Sequence, residues 1–154
     1  MKSGKFKGNQ RMKETKDTTL AQTWLAAYES IREMVAALEA AQESGADEAM
    51  EAARTTILED PLEVTVRTGW HAPGSDADAE EYCILLSTGG PASRIIGELD
   101  QFGQPETARL EVQDWGTPWT DAARDAMASA STLEEWQAIQ PVLLAYAREF
   151  YFGE

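Results

Sequence analysis

From Thr18 onward the chain contains no lysine, and the whole of it holds one cysteine and one histidine. The single thiol, Cys83, cannot close an internal disulfide, and with His71 it makes too few soft ligands for a closed zinc site. No structural metal and no cofactor are therefore expected. Long apolar runs are also missing. The hydrophobic stretches are far too short to cross a bilayer, which predicts a chain without a membrane span. The N-terminal stretch MKSGKFKGNQRMKETKD leads into no apolar core followed by a small-residue cleavage site. It is not read as a secretory signal, and a cytoplasmic location is expected.

What is present is enough for one ordinary domain. The chain has 154 residues, 43% hydrophobic residues and five tryptophans, sufficient for a single core without staples. Charge divides it unevenly. Lys2, Lys5, Lys7, Arg11, Lys13 and Lys16 face only Glu14 and Asp17, so residues 1–17 form a basic tail of charge +4. Residues 18–154 carry 25 acidic residues against seven arginines, a formal charge of −18, and the two parts give the overall −14. Such a body repels nucleic acid and is steered toward basic protein surfaces at low salt. The same composition is also a common route to solubility. A short basic terminus of this kind is expected to lack fixed structure unless it docks.

Hydrophobic periodicity predicts the elements. Leu20, Trp24, Tyr28, Ile31, Met34, Val35 and Leu38 recur at three- and four-residue steps. They describe a long amphipathic helix capped by Thr18 or Thr19 and ended by Gly45. Glu29, Glu33, Glu39 and Glu43 fall within about a third of its circumference, beside the apolar stripe, interrupted by Arg32. A second helix is predicted from Asp47 to Leu58, with Met50, Ala53 and Ile57 inward and Pro61 as its stop.

The middle of the chain changes period. LEVTVRT alternates Leu62, Val64 and Val66 with Glu63, Thr65 and Arg67, as in a strand with one wet face. EYCILLST, SRIIGEL and ARLEVQD read as three more strands, and GWHAPGSDADAE, GGP and DQFGQPE as their turns. Thr132 with Glu135 resembles a capping box, and Pro141 suits the first turn of a renewed helix through Phe150. The expected order is ααββββαα: an α+β fold over residues 18–154, with helices on one face of a four-stranded antiparallel meander.

Candidate chemistry is sparse. STGGPAS lacks the lysine of a phosphate-binding loop and precedes a strand, so it reads as a hairpin turn. His71 lies near Ser75, Asp76 and Asp78, letters that fit a base beside a nucleophile and equally an ordinary polar loop. Cys83 within an apolar strand reads as a small core hydrophobe. The abundant carboxylates identify no glycosidase-like pair, which needs a defined separation around a cleft. No catalytic residue is assigned.

In QDWGTPWT, Asp114 suits a bond to its own turn, Gly116 a positive φ, and Pro118 the exit toward a new helix. Trp115 and Trp119 then read as wedges packing the last helices against the sheet; exposed, they would be interface anchors.

Several blocks together carry a resemblance: LAAYESIREMVAALEAAQE, EDPLEVTVRTGWHAPGS, EYCILLSTGGPASRIIGEL, PETARLEVQDWGTPWT and LLAYAREFYFGE. The chain resembles, over roughly residues 19–154, a family of small acidic proteins of undetermined activity that recurs in phage, prophage and plasmid sequences. The basic tail departs from that pattern. The resemblance implies a mobile-element accessory or counter-defence protein in a bacterial host cell, and it transfers no catalytic residues. The leading expectation is a non-enzymatic inhibitor of a bacterial nucleic-acid-handling defence complex, of anti-CRISPR or antirestriction type. Its acidic surface, Glu29, Glu33, Glu39 and Glu43 first, would occupy a basic channel made for phosphates, without itself binding nucleic acid. Two alternatives stand beside it. One is a self-associating, homodimeric maintenance or scaffold protein using REFYFGE as its interface. The other is a small hydrolase or transferase built on the His71 loop.

Overall fold

The apolar stripe of the N-terminal third winds into one helix, α1 (Ser3–Ser44). The computed structural model describes residues 3–128 and 131–153, with α1 side chains from Glu14 onward. Leu20, Trp24, Tyr28, Ile31, Val35 and Leu38 are all buried, as their spacing predicts. Two expectations about its start are overturned. The backbone from Ser3 to Asp17 is helical and continuous with the rest, so the tail is part of α1. Thr18 and Thr19 are no caps: their hydroxyls donate to the carbonyls of Glu14 (2.8 Å) and Thr15 (2.9 Å), one turn back. A threonine already inside a helix makes that bond in place of capping.

α1 ends at Gly45, and α2 (Asp47–Glu59) folds back along it, burying Ile57. Four strands follow: β1 (Glu63–Arg67), β2 (Glu81–Ser87), β3 (Ala92–Glu98) and β4 (Arg109–Gln113). They form the expected antiparallel meander in the order β1-β2-β3-β4. The GGP segment is the β2–β3 hairpin turn. After a short α3 (Ala123–Ala126), α4 (Leu133–Ala147) opens on the predicted capping box. Glu135 N–H donates to Thr132 Oγ1, and Thr132 N–H donates to Glu135 Oε2. Thr132→Ala is expected to cost about 1 kcal/mol. A urea titration checks it, and an unchanged midpoint would mean that α4 needs no cap.

The order ααββββαα stands, but its last two helices are apportioned differently from the expectation. Pro141 lies inside α4 and does not restart a helix. Pro141 and Gln137, whose carbonyl one turn back loses its N–H partner, are both exposed, which is where a missing helical bond costs least. The second of the two C-terminal helices is supplied by α3.

The helices cover the inner face of β3 and β4. There Ile95, Leu110 and Val112 meet Trp24, Tyr28, Leu143 and Tyr146, all buried. The chain's aromatic end closes this core: Phe152 packs on Tyr82 (4.8 Å between ring centroids) and Phe150 on Tyr146 (5.4 Å). Within REFYFGE, Phe150 and Phe152 are core residues, whereas Arg148, Tyr151 and Gly153 are exposed. At the other side of the sheet, every residue of β1 is exposed, Val64 and Val66 included. Its alternation marks two faces correctly, but no helix reaches far enough to make either one dry.

Candidate functional surfaces

Glu29, Glu33, Glu39 and Glu43 are all exposed on α1. Among the described residues none of the four takes part in an ion pair; the ion pairs use Glu81, Glu111 and Glu149 instead. From Glu29 to Glu43 is 14 residues, a rise of about 21 Å. Immediately beyond Gly45, the first turn of α2 adds Asp47 and Glu48. Glu29 with Glu33, and Glu39 with Glu43, are like-charge pairs one turn apart, an arrangement that costs each helix turn a few tenths of a kcal/mol.

The outer face of the sheet, away from the helices, holds a feature that the sequence did not disclose. Glu111 is 6% exposed and receives two arginines. Arg94 donates to Oε1 through Nε (3.0 Å) and Nη2 (2.8 Å), and Arg109 donates to Oε2 through Nε (3.1 Å), with its Nη2 in ion-pair contact with the same oxygen at 2.8 Å. The indole of Trp119 caps the cluster, 4.2 Å from the Arg94 guanidinium carbon. The alternation in RLEVQ sets Glu111 apart from Leu110 and Val112, but its partners come from two strands, which no local pattern reveals.

A concavity of about 660 Å³ runs along this face, lined by Thr65, Cys83, Ile96, Arg94, Arg109 and Asp121 and continuing to α4. Its arginines are already engaged, Arg94 and Arg109 by Glu111 and Arg67 by Glu81, so it is a poor phosphate site. Among the described residues no group of His, Cys, Asp and Glu is placed to hold a metal ion.

Cys83 belongs to this face and is half-buried, not core as expected. It stands opposite Thr65 in the ladder. Burial pushes its thiol up, outweighing the opposing effects of Arg94 and the Thr65 hydroxyl. The same cause, burial, raises Tyr82. In Tyr146 burial acts first, and the hydrogen bond to Asp60 (2.6 Å) adds to it.

A group whose folded pKa is raised keeps its proton while the unfolded chain has already lost it. Its stabilisation is intact at low pH and declines as pH climbs past the unfolded value. Stability is therefore expected to fall with rising pH from about 8.5, and more steeply above about 10, where unfolded tyrosines ionise. Urea midpoints between those values test this; a flat profile would refute it.

QDWGTPWT forms the expected corner. Asp114 Oδ1 accepts the Trp115 N–H (2.9 Å), Thr117 N–H donates to the Asp114 carbonyl (3.0 Å), and Gly116 adopts φ 76°. Its tryptophans are not wedges against the last helices. Trp119 lies over Arg94 on the sheet, and Trp115, 75% exposed, lies across Gly90, where any Cβ would meet the indole nitrogen at 2.1 Å. Lys16 donates to the Trp115 carbonyl (3.0 Å), tying the end of the basic segment to this corner. Of the other tail cations, Lys2 lies outside the described residues, as do the side chains of Lys5, Lys7, Arg11 and Lys13.

The His71 loop is exposed. Ser75 Oγ donates to the Ala72 carbonyl (2.6 Å), and His71 Nδ1 lies 3.2 Å from that carbonyl and 3.3 Å from Ser75 Oγ. Neither Asp76 nor Asp78 is hydrogen-bonded to the imidazole. The geometry is that of a self-bonded turn. Among the described residues no helix is long and apolar enough to cross a membrane.

Comparison of the chain with protein-family models, with curated proteins and with solved structures finds no match.

Proposed function

We propose that this protein acts by binding and not by catalysis, and that its acidic helical face engages the basic, nucleic-acid-holding surface of a protein partner. The observation that carries the reading is the run of four exposed carboxylates on α1, none of them neutralised by an ion pair among the described residues. Two like-charge pairs are retained there at a local cost in helix stability, although arginines elsewhere are paired with acids. The resemblance to phage, prophage and plasmid proteins extends the proposal to the partner's class: a bacterial defence nuclease or CRISPR effector, inhibited in the anti-CRISPR or antirestriction manner inside the host cell.

Charge spacing sets the expected character of the complex. Four carboxylates over about 21 Å give one charge per roughly 7 Å, half the density or less of a nucleic-acid strand, with one phosphate per about 3.4 Å. The α1 face alone is a partial decoy, and the acids of α2 extend it. Binding should then be fast, salt-sensitive and competitive with nucleic acid.

The test is capture of partners from bacterial lysate at about 0.1 M salt, followed by elution toward 1 M, where the screening length falls from about 10 Å to 3 Å. Recovery of a nucleic-acid-handling protein that leaves at high salt, and that nucleic acid displaces, is the expected result. Recovery of partners indifferent to both salt and nucleic acid would overturn the reading.

A further inference from the structure

The two edges of the sheet are finished in opposite ways. Along β4, Trp24 Nε1 donates to the Leu110 carbonyl (3.0 Å), and Thr120 exchanges two hydrogen bonds with Val112 (2.8 Å each). The Gln140 amide, oriented to match donor with acceptor, donates to the Ala108 carbonyl (2.6 Å) and accepts from its N–H (3.1 Å). That edge is closed by side chains and by the returning chain.

At the opposite edge, β1 is exposed throughout, and its unshifted ladder with β2 runs from Glu63↔Leu85 to Arg67↔Glu81. It has no proline, no bulge and no lysine, three of the devices that blunt an edge, and its charged residues, Glu63 and Arg67, stand only at its two ends. Apolar side chains gather along it, with Leu58 51%, Leu62 63%, Val64 37% and Val66 46% exposed.

The sequence of this strand, Glu63-Val64-Thr65-Val66-Arg67, is complementary to itself when reversed. Set antiparallel about Thr65, two copies place Glu63 opposite Arg67 at both ends, Val64 opposite Val66 twice, and Thr65 opposite Thr65. A parallel arrangement would oppose Glu63 to Glu63 and Arg67 to Arg67, which is unfavourable. A slip of one residue would set valines against polar side chains on the wrong face.

We propose that β1 pairs antiparallel with β1 of a second copy of this chain, across a two-fold axis through Thr65, joining two four-stranded sheets into one of eight strands. The axis stands perpendicular to the sheet, so the valines of both copies form one stripe on a common face. On the other face Arg67, already paired with Glu81, gains Glu63 of the second copy. The contact is self-complementary, as a two-fold interface requires. It stands independently of the acidic face on α1.

A five-residue strand covers less than the roughly 800 Å² per partner of a standard interface, and two acidic bodies repel, so the dimer is weak and concentration-dependent. Sedimentation equilibrium of the full chain at about 0.15 M salt is expected to give a dissociation constant on the order of 10⁻⁵ M. Glu63→Arg alone and Arg67→Glu alone should each weaken dimerisation about tenfold or more, because each homodimer meets like charges at both ends. Mixing the two variants in equal amounts restores both pairings across the axis and should give a heterodimer about tenfold or more tighter than either homodimer.

Thr65→Cys in a Cys83→Ser background reports the register. Opposed residues in an antiparallel pair have Cα atoms about 4.5–5.5 Å apart, within reach of a disulfide, so oxidation should yield a cross-linked dimer. The proposal is overturned by a chain that stays monomeric through about 10⁻³ M, by a mixture no tighter than the single variants, or by a Thr65→Cys variant that does not cross-link.

Discussion

Trp24→Ala is expected to remove about 3–5 kcal/mol of folding stability, the range for deleting a large buried aromatic. Trp24 is 1% exposed, stacks on Tyr28 at 5.1 Å between centroids, and donates its Nε1–H to the Leu110 carbonyl at the β4 edge. It therefore does two jobs, filling the space between α1 and the sheet and closing that edge. Since domains of this kind have about 5–15 kcal/mol in all, the variant should unfold at a urea concentration lower by roughly 1–3 M.

Trp24→Phe separates the two roles. It keeps most of the ring and leaves the carbonyl unpaired, for an expected loss of about 1–3 kcal/mol. Trp115→Ala, at a tryptophan 75% exposed, should change stability by no more than about 0.5 kcal/mol. A loss below about 1 kcal/mol for Trp24→Ala would contradict the packing of α1 on β4.

Reversal of all four charges, Glu29→Lys, Glu33→Lys, Glu39→Lys and Glu43→Lys, carries the largest expected effect on binding. Each reversal adds two units, taking residues 18–154 from −18 to −10. Exposed charge pairs are worth about 0.2–1 kcal/mol each. Losing four and creating four repulsions should cost about 2–4 kcal/mol, roughly 30- to 1000-fold in affinity for a basic partner. Lysine is as good a helix former as glutamate, and all four sites are exposed, so the urea midpoint should stay within the change expected of surface substitutions. Binding by the variant at wild-type strength would remove the acidic face from consideration. Loss of binding with loss of the urea transition would instead place the effect on folding.

The proposals on α1 and β1 separate cleanly in these measurements. Raised salt weakens binding through the acidic face, whereas the β1 pairing depends on backbone hydrogen bonds and on which charges stand opposite one another. The quadruple reversal leaves β1 untouched, and the Glu63 and Arg67 variants leave α1 untouched.

How far the sequence reaches is clearest in α1 and the corner. The three- and four-residue spacing from Leu20 to Leu38 is a local signal, because helix geometry alone puts those residues on one stripe, and all but the half-buried Met34 are deeply buried. The Thr132–Glu135 box and the Asp114–Gly116 turn were readable for the same reason: each partner is within three residues. The change of period likewise marked the strands, and the two tighter connections implied antiparallel neighbours.

Where local pattern misled, the deciding contact was distant or missing. Thr18 is a good cap by type, but the preceding backbone was already helical. Pro141 resembles a helix start, yet α4 was already under way from Thr132 and its exposed side tolerates the missing N–H.

The sequence by itself determined the element types and their order, the inward stripe of α1, the antiparallel meander and the strongly acidic character of the body, because each depends on periodicity or composition over a short stretch. Only the tertiary structure decided which sheet face and which edge the helices cover. It placed Phe150 and Phe152 in the core, drew Arg94 and Arg109 onto Glu111, carried Trp24 and Gln140 to the β4 edge, and left β1 bare. The physical reason is reach. Alternation tells a strand which residues share a face, but whether that face becomes dry depends on a helix arriving from elsewhere in the chain, and none arrives over β1.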